Sequence, residues 1–147
     1  MQEKATNELD ELLEDMKPAD LDKYYKENSK YLAQGEKAFY YFFKDVAEEN
    51  GILLKDIYTA ADLGEGWGSK VVRMEKHTKN RDTIIRLCLA GHFSWIQTSR
   101  ALKLYGMSEL YAKDARDACI IVAINNRIFD PYRVDELLEE HGMEKLS

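Results

Sequence analysis

Apolar residues recur along this chain at intervals of three and four, and no stretch shows the strict alternation of a half-buried strand pair. Leu9, Leu12, Leu13 and Met16 form the first such series. Thr6 stands where it can cap a helix, and Pro18 ends it, because the residue before a proline is pushed out of helical geometry. Leu21, Tyr24, Tyr25 and Leu32 predict a second helix, closed at Ala33-Gln34-Gly35. A third begins near Ala38 and carries a wide apolar stripe of Phe39, Phe42, Phe43 and Val46, which marks it as the central core helix. It stops at Asn50-Gly51, a pair suited to a left-handed cap. Leu54, Ile57, Tyr58 and Ala61 define a short fourth helix. The turn Asp62-Leu63-Gly64 leads from it into a helix over Trp67 to Lys76, giving two short helices joined by a tight turn. Ile84, Ile85, Leu87 and Cys88 belong to the next helix, ended by Gly91. Ser94 and Gln97 have capping-box spacing and open a helix through Leu104, with Gly106 as its stop.

The remainder repeats what precedes it. Arg81-Asp82-Thr83-Ile84-Ile85 is echoed by Arg116-Asp117-Ala118-Cys119-Ile120 thirty-five positions on, and Ala101 to Met107 by Leu137 to Met143 at an offset of thirty-six. Asp130 takes the capping place of Ser94, with Pro131 at the first helical position, where its missing donor is harmless. Both copies read as αα-hairpins, and two copies predict a packed pair rather than an array. The chain therefore divides into an N-terminal helical arm (1–37), a helical bundle (38–105) and a C-terminal αα-hairpin packed on the same body (106–147).

At 147 residues, 33% charged and 45% hydrophobic, the composition is that of one globular body, with no apolar run long enough to span a membrane and no charged tip followed by an apolar stretch at Met1. A cytoplasmic protein is the expectation. The net charge of −6 conceals an uneven distribution. Sixteen acidic residues face eight basic ones in 1–65, whereas 66–105 carry only Glu75 and Asp82 against Lys70, Arg73, Lys76, Lys79, Arg81, Arg86, Arg100 and Lys103. A basic island within an acidic chain is an electrostatic footprint of the kind that meets phosphate. It can equally pair with the acidic N-terminal region.

Catalytic chemistry finds no foothold. His77, His92 and His141 are dispersed and lack the i, i+4 pairing of a metal site, and the acidic pairs lie on polar helix faces. Cys88 and Cys119 sit among apolar neighbours and read as buried thiols. Gly64-Glu65-Gly66-Trp67-Gly68 follows helix pattern, not the strand that a phosphate loop requires. No enzyme activity, metal or small-molecule cofactor is expected.

With these residues in hand, Gly51 through Leu102 resembles the phage-repressor-like (XRE-type) helix-turn-helix domain of bacterial transcriptional regulators. The resemblance rests on the Gly51-Ile52 lead, the Ile57-to-Ala61 helix, the turn at Asp62-Leu63-Gly64, the basic helix that follows, and Ile84, Ile85, Leu87 and Leu102 inside. The stretches Glu75 to Asp82 and Ala101 to Met107 are also similar to small regulator-like proteins of gut Firmicutes. This implies an all-α, five-helix repressor-like bundle whose Trp67–Lys76 helix enters the DNA major groove. Trp67, Ser69, Lys70 and Arg73 would then meet DNA on that helix, while Lys76, His77, Lys79 and Arg81 track the phosphate backbone. Such modules commonly pair, so a homodimer or a protein partner is implied as well. Leu53-Leu54 stand where the family carries a polar Thr-Gln pair, and the turn is about one residue longer. The alternative is therefore a protein-interaction adaptor built on a degenerate helix-turn-helix.

Overall fold

The computed structural model describes residues 6–14, 16–27, 37–64 and 66–147. The described residues are all helical, without a strand: α1 (Thr6–Glu14), a 3-10 turn (Pro18–Asp20), α2 (Leu21–Glu27), α3 (Ala38–Glu49), α4 (Leu54–Ala61), α5 (Trp67–Val72), α6 (Arg81–Ala90), α7 (Trp95–Leu104), α8 (Ala115–Asn125) and α9 (Pro131–Glu140). No helix among them is long and apolar enough to cross a membrane. The cap expected from Thr6 and the helical stretch expected through Leu32 fall outside what is described.

The core gathers where α3 lies on α7 and α4 on α6, with α8 and α9 against α7 and α6. Phe39 and Phe43 of α3 are fully buried, Phe43 stacking at 4.7 Å on Phe93 and Phe39 meeting Tyr105 edge-on at 4.8 Å. The most enclosed helix is nevertheless α6, not α3. Every residue from Thr83 to Ala90 is buried, because α4, α7 and α9 cover it and its sequence is apolar all round apart from Arg86.

The hairpin repeat is present, and it has a third member. In α3–α4 the left-handed residue is Gly51 (φ 68°), and the Ile52 amide donates back to the Ala47 carbonyl. In α6–α7 these roles fall to His92 (φ 58°) and Phe93, which donates to Cys88, and in α8–α9 to Arg127 (φ 57°) and Ile128, which donates to Ala123. All three are the same six-to-one helix ending. Gly91 is thus not the left-handed stop; its φ is −86°. A Cβ there would lie 2.8 Å from the buried Phe93 ring, so it is close approach that requires glycine. The Ser94–Gln97 capping box, the Asp130 cap and the left-handed Gly106 (φ 85°) form as expected. Cys88 is fully buried, but Cys119 is half-buried on α8, where no further helix covers it.

The repeated Arg-Asp dipeptides bind each other. Arg81 donates through both Nη atoms to Asp117 (2.9 and 2.8 Å), and Arg116 does the same to Asp82 (2.8 and 2.9 Å). Each guanidinium also closes its own hairpin, Arg81 onto the Ser108 and Glu109 carbonyls and Arg116 onto those of Glu144 and Lys145. Burial by itself raises the Asp117 carboxyl. The hydrogen bonds from Arg81 and the Tyr111 amide, with the charges of Arg81 and Arg116, outweigh it and hold the group below the usual carboxylate range.

Asp117→Asn is expected to lower unfolding stability by about 2 kcal/mol, since it leaves a half-buried guanidinium facing a neutral amide. Because the folded pKa is depressed, this contribution is present above the unfolded value of about 4 and is lost as pH falls through the folded value. Urea titrations from neutral to acidic pH should show the wild-type advantage shrinking toward the variant at the acid end; an unchanged gap would refute the coupling.

Candidate nucleic-acid interface

The basic island maps onto α5, the loop that follows it and α6. Helix α4 buries Ile57 and Ala61, and α5 packs across it through a glycine: a Cβ on Gly68 would stand 3.2 Å from Tyr58 Cδ1 and 3.6 Å from Leu87. Val71 and Val72 are fully buried and Trp67 is half-buried against the core. Lys70 and Arg73 are thereby directed outward, with Ser69 half-buried between the two sides.

The basic helix is shorter than expected. It stops at Val72, not Lys76, because Met74 adopts a left-handed conformation (φ 61°) and the Glu75 and Lys76 amides turn back onto the Lys70 carbonyl (2.9 and 3.2 Å). Six residues at about 1.5 Å each give a helix of only about 9 Å. Its N-terminal positions, where a groove-reading helix offers side chains to base edges, are Trp67 and Gly68, and both are taken up in packing.

From Lys76 the chain is held in a defined path. The Tyr105 hydroxyl accepts from the Thr78 amide (3.0 Å) and donates to the Lys76 carbonyl (3.5 Å), and the His77 ring stacks on Tyr105 at 4.8 Å, nearly parallel. Burial pushes the Tyr105 hydroxyl above its usual range, with the Thr78 amide opposing in part, so it remains a protonated donor. The Thr78 hydroxyl accepts from the Asn80 amide and the Asn80 side chain caps α6 through the Asp82 amide. No sequence spacing links Tyr105 to Thr78; the pin arises only when α7 returns alongside the loop.

The eight proposed contact residues thus separate. Lys70, Arg73, Lys76 and Lys79 are exposed, and none has a hydrogen bond or ion pair with a described residue. His77 is exposed on its tyrosine support. Ser69 and Trp67 are partly covered. Arg81 is committed to Asp117 and two carbonyls, which removes it from the phosphate-tracking set. Of the other cations in the island, Arg86 is buried and donates to the Asp62 carbonyl (3.1 Å), and Arg100 lies 5.9 Å from the centre of the Phe42 ring. No protein-family model, curated protein or solved structure matches the chain, so the arrangement of residues carries the functional reading.

Tyr105→Phe should leave the buried Thr78 amide without its partner, lowering stability by about 1–2 kcal/mol. The diagnostic readout is amide hydrogen exchange: faster exchange at 76–80 with α3 and α6 unchanged is expected, and uniform protection throughout would show that the hydroxyl does not hold the loop.

Proposed function

We propose that the chain is a DNA-binding transcriptional regulator that grips the phosphate backbone through Lys70, Arg73, Lys76 and Lys79. The observation that carries this reading is the division of cations in the basic island. Arg81 and Arg86 are tied into the fold, while the four cations on α5 and its loop stand exposed and unpaired on a segment fixed by Tyr105. Glu75 is the one acidic residue among them, so the stretch keeps a clear positive excess. Helices α4 and α5, with the turn between them, supply the helix-turn-helix-like element. Because α5 is short and turns Trp67 and Gly68 to the core, phosphate contact supplies most of the affinity, and Ser69, Lys70 and Arg73 are the positions able to reach base edges.

The reading predicts salt-sensitive binding to duplex DNA. In anisotropy titrations, Lys76→Ala/Lys79→Ala should weaken binding uniformly across sequences and reduce the slope of log K against log salt by roughly 2, about one for each phosphate contact removed. Lys70→Ala/Arg73→Ala should in addition erase any enrichment in a pooled-DNA selection. Equal affinity of wild type and both variants at low salt would sink the proposal and leave the protein-interaction adaptor, which the exposure of Leu53 and Ile96 favours.

A further inference from the structure

The outer side of α7 and the N-terminal helix α1 have complementary surfaces that no described element covers. Helix α7 packs inward on α3, α6 and α8. Outward it presents Ile96, 71% exposed, beside the partly exposed Trp95, followed by the exposed Arg100 and Lys103. No acidic residue occurs between Asp82 and Glu109, so this side is apolar at its start and purely basic along its length. Helix α1 is the opposite. Leu9, Leu12 and Leu13 fall on one side at helical spacing, Leu12 and Leu13 each 42% exposed, and Asp10, Glu11 and Glu14 flank them with no basic residue in the helix. The two are matched in length, at about 14 and 15 Å.

We propose that the outer face of α7 is the docking site for α1 of a second copy of this chain, giving a dimer in which each protomer lends its arm to the other. Leu12 and Leu13 seat against Trp95 and Ile96, while the acidic flank of α1 lies along Arg100 and Lys103. Apolar contact supplies the affinity and charge sets the direction in which the arm lies. Within one chain α1 leaves its leucines uncovered, so the contact requires another copy. Because each protomer offers one arm and one face, the arrangement closes at two.

Sedimentation velocity over a micromolar concentration series tests this, with circular dichroism to confirm that each variant is folded. The wild type is expected to dimerise, more weakly as salt rises. Ile96→Glu, which breaks the face, and Leu12→Lys, which breaks the arm, lie at exposed positions and should each weaken association about tenfold or more. The decisive step is mixing the two variants. The intact arm of the first meets the intact face of the second, so the mixture should associate more tightly than either variant alone. A wild type that stays monomeric overturns the proposal, as an arm folding back on its own chain would produce. So does a mixture no better than its components, which is the signature of face-to-face or arm-to-arm contact.

Discussion

The reciprocal exchange between Arg81–Asp117 and Arg116–Asp82 is the constraint on which the rest of the body is hung. It joins the first turns of α6 and α8, and through the Ser108, Glu109, Glu144 and Lys145 carbonyls it also fixes where each hairpin ends. A guanidinium is a planar fork, so two bidentate pairs determine orientation as well as distance, which a pair of lysines would not do. Such pairs lose much of their Coulombic gain to desolvation. Their effect here is therefore on register: residue i of one copy holds residue j of the other and the reverse, the relation found at an isologous contact. Since the basic loop runs directly into Arg81, the placement of Lys76 and Lys79 depends on that clamp.

The same logic explains how an acidic protein can keep a basic face. At a net charge of −6 the chain repels polyanions at long range. At physiological ionic strength, however, fields are screened over about 8 Å, so what a phosphate meets at contact is the local set of Lys70, Arg73, Lys76 and Lys79. Repulsion among four unpaired cations on one short segment works against folding, and the Tyr105 pin and the Asn80 cap hold them there nonetheless. Arginine is used where geometry must be fixed, at 81 and 116, and lysine predominates where charge is presented to solvent.

Most of the helices were legible from local chemistry. The periodic leucines and isoleucines, the Ser94–Gln97 box, the Asp130-Pro131 start and Gly106 all act within one turn of the chain, and the elements they mark form as expected. What escaped depends on contacts between distant residues. The third hairpin was hidden because its connector shares backbone geometry, not side chains, with the other two: Gly51, His92 and Arg127 have little in common except a left-handed φ. The early end of α5 turns on a left-handed Met74, a residue type that gives no warning of it. The commitment of Arg81 was invisible although both halves of the repeat were in view, because an echoed Arg-Asp pair reads as similarity until the fold brings the copies together. Of the interface, the free lysines and Arg73 could be found from charge alone, whereas the tyrosine that positions their loop could not.

The middle hairpin carries an uneven share of these constraints. Its first helix starts at the arginine clamp, and its connector carbonyls at Gly91 and His92 accept from the Asn50 side chain of the hairpin before it (2.9 and 3.1 Å). Its His92 ring stacks at 4.5 Å on Phe129 of the hairpin after it, with the Arg127 guanidinium 5.2 Å from the centre of the same ring. Helix α6 is thus fixed at both ends and buried between. A loop anchored to the start of such a helix, and pinned again by a tyrosine of the same hairpin, has little freedom left to lose when it meets a ligand. Ordering costs on binding fall on flexible segments, and this segment is already ordered. Contact through Lys70, Arg73, Lys76 and Lys79 is therefore contact by a preformed surface, in which the lysine side chains adjust and the backbone does not.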